Sequence, residues 1–269
     1  MHVTVLGSFT LSTDGNPVAL GVDARRLVAY LAIHPRSQDR GALALDLWPG
    51  VPQAAALRLL TEAIEAIGVP GLLADAHTDG RLSLSGEVTV DLAAAMALIR
   101  ALPEIPANTD PEISPLAADI LPGWTAAWIV VERERFRQLR LHAIEERSLR
   151  LTAAERFEEA AAMAQRSVTA APSRESARRA LIEAHLAQGN IAAAVAEYDE
   201  YQELLRSSVG GPAGSGLDGL FPPSPVWPVL RARRAMPRSA VQLPGLRSVR
   251  ASGSTRRLVA GGSLPGHGR

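Results

Sequence analysis

Two helical segments repeat at a fixed spacing of 34 residues, and this period restricts the possible fold of the chain more than any other feature. The matched positions are Phe157, Ala160, Ala164 and Val168 in the first segment, and Ile191, Ala194, Tyr198 and Gln202 in the second. Pro172 ends the first segment, and Gly189-Asn190 supplies a turn before the second. Small residues that recur with this period are typical of a tetratricopeptide-like helical stack. The sequence therefore predicts a helical repeat domain, within a helical region that extends from Trp124 to Ser207.

The first ninety residues have a different pattern, with short extended runs followed by three helices and a hairpin. Alternating apolar and polar residues up to Leu20 predict strands. Apolar periodicity then predicts helices over residues 23–33, capped by Asp23, and over 39–48 and 52–67. Two extended runs, 72–76 and 81–85, are joined by His77-Thr78-Asp79-Gly80, which is a hairpin signal. This order of elements predicts a winged helix-turn-helix, so the expected fold class is α+β, mostly α, with a small N-terminal sheet.

The remaining segments divide the chain into three expected parts. Asp91 opens a helix to Leu102, and residues 103–123, which contain five prolines, predict a long loop. Beyond residue 230 the chain is rich in Gly, Ser, Pro and Arg, which cannot bury enough apolar surface to offset ordering entropy. We expect a winged-helix domain at 1–90, a helical domain at 91–230 and a disordered tail at 231–269.

Charge is distributed unevenly along the chain although the formal net charge is zero. All 28 basic residues are Arg, and nine of them lie in residues 231–269, where there is no acidic residue. Residues 1–230 therefore hold 19 Arg against 28 acidic residues. This difference in charge suggests a globular acidic body that carries a basic tail. The absence of Cys excludes disulfides and thiolate chemistry, and the lack of a long apolar run or signal-like N-terminus predicts a cytoplasmic protein.

The sequence contains no pattern typical of an enzyme. None of the six His residues has the spacing of a metal site, and the GxSxG nucleophile motif is missing. The glycine-rich segment 211–216 has no preceding strand and no following Lys-Ser/Thr, which favours a linker over a phosphate site. His34, before Pro35, is interpreted as a structural helix cap. We expect no catalytic activity, no cofactor and no metal.

The chain resembles the SARP-type bacterial regulators, which join a response-regulator-type winged helix to a bacterial transcriptional activator domain (BTAD). The resemblance covers about residues 1–230. The residues that carry it are Val3–Phe9, Asp14-Gly15, Arg26–Ala32, Leu43–Pro49, Asp119–Trp124, Trp128, Glu132–Arg140, Arg174–Ala177, Ala184–Asn190 and Pro223-Ser224-Pro225. It implies a transcriptional regulator whose helix 52–67 is the DNA recognition helix. On that basis Arg58 is a candidate for the major groove, Arg81 for the wing and Arg40 for phosphate.

The predicted recognition helix departs from the composition expected of a DNA reader. Arg58 is its only basic residue, against Glu62 and Glu65, and residues 1–92 hold six Arg and ten acidic residues. Since basic side chains supply most non-specific DNA affinity, we expect weakened binding. Three interpretations remain open: a regulator with reduced DNA affinity, a protein-interaction scaffold that does not bind DNA, and a regulator whose Arg-rich tail supplies the affinity. An inert tail is equally compatible with the sequence.

Individual side chains also have simpler interpretations. Arg58 could pair with Glu62 one helical turn away, and Arg81 could be an ordinary exposed strand residue. Trp124 and Trp128 are expected to anchor the loop to the helical bundle. The charged run Glu132–Arg140 is typical of a solvated helix face; the alternative is that it lines a groove between the winged helix and the repeats.

Overall fold

A computed structural model describes residues 1–74, 80–209 and 216–221 of the chain. Residues 222–269, and with them the tail and the Pro223-Ser224-Pro225 segment, lie outside the described residues, as do residues 75–79 of the hairpin turn. The strands are β1 (His2–Thr4), β2 (Thr10–Thr13), β3 (Asn16–Pro17), β4 (Gln38–Asp39), β5 (Arg81–Leu82) and β6 (Thr89–Val90). The α-helices are α1 (Val22–Ile33), α2 (Arg40–Leu47), α3 (Gln53–Ile67), α4 (Asp91–Ala101), α5 (Ala127–Ala153), α6 (Phe157–Ala170), α7 (Glu175–Ala187) and α8 (Ile191–Val209).

Two small sheets frame the first three helices. The first sheet has the order β3-β2-β1-β6, with β1 antiparallel to β2 and parallel to β6. The second pairs β4 with β5, so that Asp39 lies opposite Arg81. The arms of the predicted hairpin pair through an antiparallel bridge between Leu73 and Leu84. Strands, three helices and a hairpin therefore form the predicted winged-helix arrangement, and the expected α+β, mostly α, fold is confirmed.

Helices α1 and α2 differ in whether an Asp side chain caps their first turn. The Asp39 carboxylate caps α2 by accepting a hydrogen bond of 2.9 Å from the N–H of Ala42. The prediction that Asp23 caps α1 is wrong, because Gly21 is the N-cap and Asp23 lies in the first turn. There the Asp23 carboxylate accepts a hydrogen bond of 3.3 Å from the Trp48 indole N–H. Asp23 thus connects the start of α1 to the end of α2.

The 34-residue period is confirmed in the helical domain. Helices α6 and α8 begin at Phe157 and Ile191, and the equivalent residues Ala160 and Ala194 are both fully buried. Helices α5, α6, α7 and α8 pack in sequence order, each against the next. One continuous hydrophobic cluster extends from Val3 in β1 to Ala184 in α7. The winged helix and the first part of the helical stack therefore share a core.

Candidate nucleic-acid interface

Helix α3 packs against α1 and α2 through one face and leaves the opposite face in solvent. Its buried residues are small or aliphatic and recur every three or four positions: Ala56, Leu60, Ala63 and Ile67. Its exposed residues are Gln53, Ala54, Arg58, Thr61, Glu62, Glu65 and Ala66. This spacing is that of an amphipathic helix at a domain surface. The free face lies on the second helix of the helix-turn-helix, where a recognition helix would contact DNA.

The exposed face of α3 is acidic. Within residues 1–74, 80–209 and 216–221, the Arg58 guanidinium has no carboxylate within 4.0 Å, so the possible pair with Glu62 is not formed. Arg58 is the only cation on this face, and Glu62 and Glu65 are also exposed. The face therefore presents more negative than positive charge to a ligand in front of it.

The structure brings Arg40 and Arg81 together, whereas Arg58 lies on a different element, helix α3. Arg40 is the first residue of α2, and its backbone N–H donates to the Gly80 carbonyl at 3.2 Å. Arg81 is an exposed residue of β5, and its guanidinium donates to the carbonyl of Ser37. The β4–β5 pairing places both residues at the base of the hairpin. Arg81 is thus held by a backbone contact rather than projecting freely.

An aromatic cluster joins α1 to α5. His34 is the C-cap of α1, as interpreted: its backbone N–H donates to the Tyr30 carbonyl at 2.9 Å, and the two rings stack at 4.2 Å. The Trp128 ring lies 4.9 Å from that of Tyr30. The Tyr30 hydroxyl donates to Asp46 at 2.6 Å, and burial, followed by this hydrogen bond, raises the pKa of Tyr30. The cluster fixes α5 against the helix-turn-helix.

Trp124 and Trp128 were expected to anchor the loop to the helical bundle, but they also contact the winged helix. The Arg25 guanidinium of α1 lies 5.5 Å from the centre of the Trp124 ring, and Phe9 packs at 6.3 Å on the same ring. With Trp128 on Tyr30, both tryptophans anchor the helical domain to the winged helix.

Three arginines of α5, spaced seven residues apart, bind the loop that precedes the helix. Arg133 donates to the carbonyls of Ile120 at 2.6 Å and Trp124 at 2.8 Å. Arg140 donates to Ala118 at 2.7 Å, and Arg147 donates to Thr109 at 2.7 Å. Burial lowers the pKa of both Arg140 and Arg147.

The interpretation of Glu132–Arg140 as a solvated face is therefore wrong for part of the run. Glu134, Arg135 and Gln138 are exposed, whereas Arg133 and Arg140 face inward. The physical reason is the loop itself, whose backbone carbonyls lack strand or helix partners and need donors. The even spacing of Arg133, Arg140 and Arg147 along one helix face was the available sequence signal.

The described part of the chain contains no cluster of three or more His, Asp or Glu residues suited to a metal. Likewise, none of the helices within that part combines the length and the apolar character needed to cross a bilayer.

Comparisons with known proteins agree with this architecture. Residues 114–221 match the family model of the bacterial transcriptional activator domain. Among solved structures, Mycobacterium tuberculosis EmbR in complex with a low affinity phosphopeptide resembles the chain with a TM-score of 0.57 and 20% sequence identity. The alignment covers 88% of this chain and 65% of EmbR, so this chain spans about two thirds of the length of that structure. No curated protein matches the sequence.

The fold thus defines a winged helix joined to a tetratricopeptide-like helical domain. Residues 114–221 match the bacterial transcriptional activator domain family, and the resemblance of the chain to SARP/BTAD-type regulators is confirmed.

Proposed function

We propose that the protein is a SARP/BTAD-type transcriptional regulator in which DNA binding by α3 is retained but weak. The activator domain at 114–221 supports a role in transcription. The single observation that carries the weakened binding is the free face of α3, on which Arg58 stands against Glu62 and Glu65. In this proposal residues 1–90 form the DNA-contacting unit, residues 91–230 form the partner-binding unit, and the protein has no enzymatic role.

The proposed contacts follow from where the three arginines lie. Arg58 enters the major groove from the exposed face of α3, while Arg40 and Arg81, at the base of the hairpin, contact phosphate. Each phosphate contact by an arginine releases condensed counterions and raises affinity. Glu62 and Glu65 oppose this because they bring negative charge close to a polyanion. The balance predicts weak, salt-sensitive binding.

Fluorescence anisotropy with labelled duplex DNA and the full-length protein tests this proposal. The variant Glu62→Gln/Glu65→Gln should tighten binding roughly three- to thirtyfold at low salt, since each exposed charge contact contributes up to about 1 kcal/mol. Arg58→Gln should weaken binding. The matched control is Glu155→Gln/Glu158→Gln, which removes the same charge from an exposed site in the helical domain.

Two results would contradict the proposal. Nanomolar binding by the unmodified protein with a steep salt dependence would show that the affinity is not weakened. Equal responses of the α3 variant and its control would show that α3 does not face DNA.

The second candidate is a protein-interaction scaffold in which the winged helix has lost DNA binding. The acidic face of α3 favours it, as does the excess of acidic residues over residues 1–230. EmbR, which shares the architecture, was solved with a phosphopeptide, which is a precedent for a peptide ligand but of the opposite charge to the one expected here. The acidic body fits a Lys- or Arg-rich partner surface. Chromatin immunoprecipitation of the full-length protein separates the candidates, because only the regulator recovers specific DNA.

A further inference from the structure

The described residues line an open groove of about 960 Å³ where the winged helix meets α4 and α5. One wall comes from the end of α1 and the segment after it, residues 31–38, and from residues 84–90. The other wall comes from α4 and α5. Its volume lies in the range of sites that hold small organic molecules, about 300–1,000 Å³. The groove is separate from the exposed face of α3.

The inner surface of the groove is apolar. Buried side chains such as Ile33, Leu92, Ile120 and Phe136 form part of it. Leu139, on α5, lines the groove with 37% of its surface exposed, and Ala93 and Ala94 of α4 are exposed there as well. Solvent therefore reaches an apolar surface that a hydrocarbon group could cover.

The charged residues that line the groove are mainly basic. Arg36 follows α1, Arg100 lies in the last turn of α4, and Arg135 lies on α5, whereas Glu132 is the only acidic lining residue among those described. Arg135 pairs with Glu132 at 3.7 Å. Arg36 and Arg100 are exposed, and neither has a carboxylate within 4.0 Å in the described part of the chain. Two cations from different segments therefore line the same groove without a carboxylate partner among the described residues.

We propose that this groove binds an amphipathic organic anion, with its apolar part on the surface formed by α4 and α5 and its anionic group at Arg36 and Arg100. The excess of basic residues lining the groove favours an anionic ligand. The tail of this chain, residues 231–269, carries nine Arg and no acidic residue, so the same arginines would repel it. A neutral apolar ligand would gain no electrostatic attraction from the two arginines. The proposal goes beyond transcriptional regulation and does not depend on DNA binding by α3.

The test uses the full-length protein and two probes that share a ten-carbon chain, decanoate and decanol. Titration calorimetry should detect binding of decanoate in preference to decanol. The variant Arg36→Gln/Arg100→Gln should weaken decanoate binding roughly two- to thirtyfold, the effect of losing two exposed charge contacts, and should leave decanol binding unchanged. Arg166→Gln, an exposed arginine of α6 outside the groove, is the control.

A second pair of variants tests the location. Ala94→Trp fills the groove from α4 and should weaken decanoate binding at least about fivefold through steric overlap. Ala97→Trp places the same side chain on an exposed position of α4 that does not line the groove, and should have no effect. If Ala94→Trp does not fold, the Arg36→Gln/Arg100→Gln variant still tests the proposal. Both of its substituted positions are exposed, so this variant should fold.

Three results would overturn the proposal. One is absence of decanoate binding, and another is equal binding of decanol and decanoate. The third is binding that appears only after residues 231–269 are removed, which would identify the tail as the occupant.

Discussion

Arg140 of α5 and Asp119 of the preceding loop form an ion pair with an N–O distance of 2.6 Å. The Asp119 backbone carbonyl also accepts a hydrogen bond of 2.8 Å from the N–H of Gly7, next to β1. The Arg140 side chain is only 6% exposed, whereas that of Asp119 is 33% exposed. This pair therefore connects the helical domain, the loop and the winged helix at one point.

Arg140→Leu should destabilise the protein by about 1–3 kcal/mol, since the buried Arg140 guanidinium no longer compensates the partly exposed Asp119 carboxylate. The carbonyls of Leu116 and Ala118 lose a donor in the same change. Urea unfolding measures the loss. Arg135→Leu, at a side chain that is 69% exposed, should cost less than about 1 kcal/mol. Equal losses in the two variants would mean that the buried contacts of Arg140 contribute little.

Ala194→Arg should unfold the C-terminal part of the helical domain. Ala194 is fully buried in a cluster with Ile182, Tyr201 and Leu217. A large side chain in a packed interior costs about 1–3 kcal/mol, and an unpaired charge adds to this. Ala192→Arg, at an exposed position of the same helix, is the matched control. Circular dichroism melting checks the result, and an unchanged melting temperature for Ala194→Arg would contradict the helix packing.

Glu183→Gln should stabilise the protein at neutral pH. Burial raises the pKa of Glu183 above its ordinary value of 4.5, although Arg179 partly opposes this shift. The folded state therefore binds the proton more tightly than the unfolded state, and stability falls as the pH rises above 4.5 through the raised pKa. The neutral amide avoids this cost. Thermal melting at several pH values should show a gain that shrinks on acidification, while the exposed Glu158→Gln shows none.

Removal of residues 231–269 should change neither DNA retention nor partner binding, because the nine arginines of the tail are scattered and only Arg233-Arg234 and Arg256-Arg257 are adjacent. Mobility shift assays of the full-length and truncated proteins across a salt series provide the measurement. Loss of DNA retention on truncation would instead identify the tail as a nucleic-acid arm. Improved capture of a basic protein, with a gain that fades at high salt, would show that the tail masks the acidic body.

Periodicity in the sequence was enough to predict most of the helices. The stripe of Ala56, Leu60, Ala63 and Ile67 defines α3, and the 34-residue period places α6 and α8, because a buried helix face must recur with the helical repeat. Both patterns depend only on the spacing of residues along the chain, so the sequence alone is enough to detect them.

The contacts between distant segments could not be predicted in this way. The Asp91 carboxylate accepts hydrogen bonds from the N–H groups of Val5 at 2.9 Å and Leu6 at 3.0 Å, across more than eighty residues. From the sequence, Asp91 is recognisable only as the start of a helix. Similarly, a charged run is normally a sign of solvent exposure, and the inward position of Arg133 and Arg140 depends on where the loop passes. The groove likewise depends on four segments meeting in space: the end of α1, residues 84–90, α4 and α5.

The hydrophobic cluster that runs unbroken from Val3 to Ala184 has a consequence for how the protein can evolve. Where a flexible linker joins two modules, each can accumulate substitutions independently. Here a change in side-chain volume at Tyr30 alters the packing of Trp128, because the two rings lie 4.9 Å apart in different modules. Substitutions at these positions in the two modules are therefore coupled, and we expect that exchanging the winged helix for that of a relative requires Trp124 and Trp128 to be exchanged with it.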